Sequence, residues 1–164
     1  MSMEQAIITW IHLVSAAVWV GGSLFIGAVL APLLKKMSMP LEERIQMMVL
    51  VGRRFNKIAV PSLIILIVTG IYNSQQVITN PDSLLATSYG SFLLVKIILV
   101  IALIIAFIVH VRIIRKEVEQ KILSKEMTEK QIQKLRKKII ILGEIIVVIS
   151  VAVLFFAALL DTGV

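Results

Sequence analysis

The 164-residue chain has no cysteine, which excludes disulfides, thiolate-bound metal and covalently attached c-type haem. Charge is scarce: 16% of residues are Asp, Glu, Lys or Arg, against 59% hydrophobic, and mean hydropathy is +0.97. A soluble protein of this length has too small an interior to bury that much apolar surface. There are two histidines, and all seven methionines fall outside the apolar runs, so no thioether ladder crosses a membrane. Internal duplication, low-complexity tracts and a soluble domain are all lacking.

Four apolar runs remain, at about 6–34, 58–72, 92–111 and 139–160. About 20 apolar residues span a ~30 Å hydrocarbon core as a helix. The predicted fold is therefore all-α: a polytopic membrane protein, with residues 1–164 forming a single four-helix transmembrane domain. The first run is not read as a secretory signal. Its leading flank carries Glu4 and no basic residue, and it is much longer than an h-region.

The basic residues set the orientation. Every Lys and Arg except Lys96 lies between runs one and two or between runs three and four. The N-terminal flank, the second loop and the C-terminus carry only Glu4, Asp82 and Asp161. The positive-inside rule then predicts a multi-pass protein of the plasma membrane with both termini outside. Because the basic residues interleave with Glu117, Glu119, Glu126 and Glu129, a nucleic-acid partner is not expected. Anionic headgroups of the bilayer are the natural extra partner.

Local signals fill in the organisation. Pro32 falls in the last turn of the first helix, and residues 41–57 read as an amphipathic lead-in along the inner surface. Asn80-Pro81-Asp82-Ser83 is a turn signal. Thr128-x-x-Gln131 reads as a capping box, so helices three and four are expected to extend into the cytoplasm as an antiparallel hairpin.

Ionisable groups at membrane depth are functional candidates by default. Four qualify: His12, Lys96, His110 and Glu144. His12 and Lys96 each lie about six residues, or ~9 Å, inside the outer boundary. His110 lies ~21 Å deeper than Lys96, at the level of Glu144 near the other face. His12 and His110 of one chain therefore cannot share one haem iron. Lys96 is either a snorkelling anchor or a functional cation. His110 is either interfacial or a ligand, and Glu144 is either structural glue, paired with His110 or a loop arginine, or a functional group. His12 sits in a helix rich in small residues, including Ala17, Gly21 and Gly22, with Trp19 two turns on.

His12, Trp19-Val20-Gly21-Gly22, Pro32, Arg53-Arg54-Phe55, Thr69-Gly70 and Lys96 together resemble the copper resistance protein D family. Lys96 and His110 on one helix, with His12 near the outer start, are also similar to the HemJ-type protoporphyrinogen oxidases, small membrane proteins that bind haem b. The first resemblance implies copper import or homeostasis. The second implies His12 as haem ligand, with His110 the weaker candidate and Lys96 near a propionate. Copper conduction asks for several ligands along a path. Haem asks for one or two axial ligands, room for a macrocycle and a cation. The expectation is accordingly a haem b protein with a redox or electron-transfer role, whose cofactor site comprises His12, Trp19, Gly21, Gly22 and Lys96. Copper import, and a non-catalytic subunit of a larger membrane complex or a homo-oligomer, are the alternatives.

Overall fold

The computed structural model describes residues 2–75, 79 and 87–162, and all regular structure among them is helical. Helix α1 (Met3–Leu24) continues through a π-helical turn (Phe25–Leu30) into α2 (Ala31–Lys36). Then come α3 (Leu41–Asn73), α4 (Ser88–Ile113), α5 (Lys116–Leu123) and α6 (Glu129–Thr162). Among the described residues, four stretches, Met3–Lys36, Leu41–Asn73, Ser88–Leu123 and Glu129–Thr162, are long and apolar enough to span a membrane. Each holds 33 to 36 residues. At 1.5 Å per residue that is about 50 Å, well beyond the ~30 Å core, so every span projects from it. The predicted turn at Asn80–Ser83 lies outside the described residues.

The termini of the helices are capped locally. Ser2 Oγ accepts from the Gln5 N–H at 3.2 Å, and Thr87 Oγ1 accepts from Gly90 N–H at 3.0 Å. Gln131 Oε1 accepts from the Thr128 N–H at 2.9 Å, the reciprocal half of a capping box. The turn before it places Lys125 at φ 56°.

Pro32 has a larger effect than ending a helix. Proline has no N–H, and its ring crowds the carbonyl four residues back, here Ala28. The chain answers by widening: the Ala31 N–H donates to Ile26 O, five residues back, in the π-helical turn. Pro61 stays inside α3 on an exposed face, beside a Ser62 hydroxyl that donates to Ile58 O at 2.9 Å.

The main packing pairs are α1 on α3 and α4 on α6. α1 and α3 run antiparallel: His12 meets Thr69, and Gly22, about three turns further along α1, faces Phe55. Two apolar cores result. One, at mid-depth, gathers Trp19, Val20, Ala59, Leu63, Leu103, Phe107 and Ile146. The other, on the side carrying the basic loops, gathers Ile45, Val49, Ile114, Ile122, Ile132 and Ile139.

That second core corrects the reading of residues 41–57. They do not form a separate surface lead-in but the first half of one continuous α3, whose Ile45 and Val49 pack among residues of α5 and α6. The hairpin extending helices three and four is present, with a break at Ile114 and Arg115, and α3 forms a third member of the bundle there. Arg53 and Glu119 pair across α3 and α5.

Charge distribution predicts that this basic end is cytoplasmic. Cysteines placed at exposed Gln75 and Ser124 are expected to react with an impermeant maleimide from opposite faces of intact cells. Reaction of both from outside would overturn that orientation.

Candidate functional site: a clamped imidazole, an apolar septum and a basic-side cavity

In the half of the bundle away from the basic loops, His12 Nδ1 lies 2.7 Å from Thr69 Oγ1. The Thr69 hydroxyl proton is already engaged, donating to Ile65 O at 2.6 Å. A hydroxyl with its one proton committed can only accept from the ring. Nδ1 is therefore the N–H of His12. In the neutral ring, Nε2 then carries the free lone pair. The partner is fixed in turn, since Thr69 is buried and bonded back to its own helix. Gly70 flanks the ring: a Cβ there would stand 3.5 Å from His12 Cε1. Half-buried Lys96 of α4 lies within electrostatic reach of His12. Tyr72 Oη and Glu4 Oε1, 3.4 Å apart, tie α3 to α1 at this end.

Trp19 lies two turns beyond His12, ~10 Å along the helix. It is 2% exposed, its Nε1–H donates to Ser150 Oγ at 3.0 Å, and its ring meets Phe107 edge-on with centroids 4.8 Å apart. With its apolar neighbours it forms a septum across the middle of the bundle. The indole thus joins α1 to α4 and α6 rather than standing open beside His12.

The glycines after it are used differently from each other. Gly21 faces out of the bundle, and a Cβ there would meet no other group within 4 Å. At Gly22 a Cβ would lie 2.2 Å from Phe55 Cε2, so the Phe55 ring occupies the place of a side chain. Gly22→Leu is expected to destabilise the purified protein by about 1–3 kcal/mol through overpacking, with Gly21→Leu close to wild type. Thermal unfolding of the two variants in detergent measures the difference, and equal midpoints would sink the assignment.

Beyond the septum, toward the basic side, the helices line a half-open cavity of about 620 Å³. The π-helical turn widens one wall at Ile26, Gly27 and Ala28. His110 of α4 and Glu144 of α6 both line it, so these two groups, matched in depth by counting, do share a site. Lys35, Arg44 and Arg136 line it as well. Fourteen residues of α4 separate Lys96 from His110, ~21 Å, so the two imidazoles stand at opposite ends of the septum.

Of the residues singled out from sequence, the structure brings Lys96 within electrostatic reach of His12 and lines one cavity with both His110 and Glu144. It sets Trp19 and Gly22 into packing roles and leaves Gly21 on the outer surface. Thr69, Ser150, Arg44 and Arg136 were not foreseen as site residues. The signal for two of them was there: Ser150 is the one hydroxyl in its apolar run and Thr69 one of few in its own, a pattern that marks interhelical hydrogen bonds.

These features define a polytopic four-helix membrane protein with an imidazole site in one half and, in the other, a mostly apolar cavity that carries basic side chains. Residues 49–160, more than half of the chain, match the family model for copper resistance protein D, and the chain belongs to that family. The match includes Thr69, Lys96 and His110 and begins after His12. The chain is also similar to the copper transport protein CutJ of Bacillus subtilis (strain 168), 32% identical over 108 residues. That alignment covers 66% of this chain and 19% of the relative, so the chain corresponds to a small part of it. No solved structure matches the chain.

Proposed function

We propose that this membrane protein handles copper as a cargo ion, with His12 Nε2 as the first ligand inside the bilayer. Family membership supports copper handling in general. The observation that carries His12 is the clamp on its ring: Thr69 holds Nδ1–H and leaves Nε2 free. Imidazole nitrogen suits copper, and a hydrogen bond on the second ring nitrogen is the usual means of orienting a ligating histidine. The relative's description as a copper transport protein points the same way.

Among the described residues, no three or more His, Asp or Glu side chains converge on a point. Copper at His12 therefore shares its coordination with donors that arrive with it, which suits brief holding of a cargo rather than a resident centre. The Trp19–Phe107 septum separates His12 from His110, so passage requires that packing to shift. With His110 lining the cavity on the basic side, the two imidazoles are a first and a last stop on such a path.

Titration of purified protein with Cu(I) against a chromophoric chelator under reducing conditions tests the reading. His12→Ala is expected to weaken binding by at least ~10-fold, while His110→Ala leaves the site near Thr69 intact. Wild-type protein that takes up no Cu(I) would refute it.

A second reading, haem b on His12 with Lys96 beside a propionate, is supported by the same free Nε2 and the neighbouring cation. Its weakness is the expected seat for the macrocycle. Gly22 is filled by Phe55 and Gly21 faces outward. A Soret band with a reduced α-band in copper-free protein would favour haem over copper.

A further inference from the structure

The cavity on the basic side has features that a path for a metal cation does not explain. Among the described residues, Arg44 Nε and His110 Nδ1 are buried atoms without a hydrogen-bond partner, and both residues line this cavity. Leaving buried polar atoms unpaired is costly, so such atoms point to a missing partner. The charge is lopsided: Lys35, Arg44 and Arg136 stand against Glu144 alone. Arg44 is partly committed, since its Nη1 donates to Lys35 O at a long 3.5 Å, which leaves the rest of its guanidinium for another acceptor. Apart from Ser23 and Asn56 the remaining walls are apolar, including Ile26, Met48, Phe107, Ile140 and Val147. At about 620 Å³ the space falls within the ordinary range of ligand sites, ~300–1,000 Å³.

An occupant that satisfies all of this has an anionic, oxygen-rich head and an apolar body, and it reaches the site from the bilayer. We propose that the cavity binds an anionic phospholipid from the leaflet on the basic side. Its phosphate lies between Arg44 and Arg136, with Lys35 at the rim. His110 Nδ1 bonds a headgroup oxygen, and the upper acyl chain follows the apolar wall beside the π-helical turn. Basic pockets between membrane helices are a recurrent setting for such headgroups. Arginine suits the task because its planar fork grips phosphate oxygens in pairs. The lipid would occupy the same chamber as His110 and so cover that imidazole until it leaves.

The test is independent of copper. Purified protein is reconstituted in phosphatidylcholine nanodiscs, and binding of a labelled phosphatidylglycerol is measured, alongside mass spectrometry of lipids retained from the native membrane. Wild type is expected to retain phosphatidylglycerol in stoichiometric amounts and in preference to phosphatidylcholine. The double variant Arg44→Gln/Arg136→Gln is expected to bind it about 30-fold more weakly. Gly143→Leu provides the check on folding. A Cβ at Gly143 meets no group within 4 Å, leucine favours the helix, and the cavity is filled without a change of charge. It should lose the lipid while unfolding at or above the wild-type midpoint. Arg54→Gln should bind as wild type does, since Arg54 lies with Arg53, Lys57 and Arg115 in an adjoining basic groove that meets the cavity at Asn56 and Ile114 but is not part of its lining.

Competition with inorganic phosphate separates the two sources of the phosphate group. Lipid that resists millimolar phosphate is held by head and chain together, as proposed. Displacement by phosphate alone would show that the apolar wall takes no part and would overturn the lipid assignment. No preference for phosphatidylglycerol, or equal weakening in Arg54→Gln, would reduce the effect to surface charge and overturn it as well.

Discussion

Replacing Trp19 with alanine is expected to lower stability by about 3–5 kcal/mol, the usual range for emptying a buried tryptophan site. Trp19 is 2% exposed, packs edge-on against Phe107 and donates to Ser150, so one substitution removes links from α1 to both α4 and α6. Lipid tails are as apolar as leucine, so loss of close packing, rather than loss of water exclusion, sets the cost. A functional consequence follows from position. The indole borders the cavity on the basic side and belongs to the septum, so its removal extends that cavity toward His12. Proteoliposomes carrying Trp19→Ala are therefore expected to leak Cu(I) faster than wild type. Trp19→Phe keeps most of the bulk but strands the Ser150 hydroxyl, and it should cost about 1–3 kcal/mol with the septum still closed. Thermal midpoints and flux measured on the same preparations decide the matter. If Trp19→Ala matched wild type in both, the septum would not exist as described.

Four spans, their order and the common side of the basic loops were legible in the sequence because they depend on length, hydropathy and charge, all of which a bilayer reads directly. Depth was legible too. Counting 1.5 Å per residue put His12 level with Lys96 and His110 level with Glu144, and the helices keep those pairs together. Azimuth was not. In a soluble helix the polar face shows which side is buried, but here the lipid-facing side is as apolar as the interior. Val148 and Phe155 of α6 lie exposed, while Ile146 and Ser150 of the same helix lie buried. For that reason the small residues of α1 looked like one surface. Only the folded bundle separates Gly21, facing outward, from Gly22, filled by Phe55.

The same limit explains Trp19. A tryptophan two turns from a histidine is compatible with a cofactor wall, and sequence alone carries no sign that Ser150, 131 residues away, takes its N–H. Pro32 was legible as a helix perturbation near the boundary. That its missing N–H would be absorbed by a π-helical turn, widening the wall of a cavity, depends on α3 and α6 standing opposite it. The lead-in at residues 41–57 was misplaced for a related reason. Its amphipathic pattern suits a membrane surface or a protein partner equally well, and α5 and α6 supply the partner.

Thr69→Val is expected to weaken Cu(I) binding at His12 by about 10–100-fold, the usual effect of losing the group that orients a ligating histidine. Valine matches threonine closely in shape, so the α3 backbone and the fit against α1 are retained while the hydrogen-bond acceptor is lost. Nδ1–H would then lack its partner, the tautomer would no longer be fixed, and the ring would be free to turn its lone pair away from the site. Thr69→Ser keeps a hydroxyl that can both donate to Ile65 O and accept from Nδ1, so it should bind within about threefold of wild type, a difference worth ~0.6 kcal/mol. The pair separates positioning from packing. A structural role alone would make both variants alike in affinity and different from wild type in unfolding midpoint. The clamp makes them unlike in affinity, with similar midpoints. Full-strength binding in Thr69→Val would mean that the hydrogen bond on Nδ1 does not orient the ligand, and Thr69 would then be an interhelical packing contact with no part in copper binding.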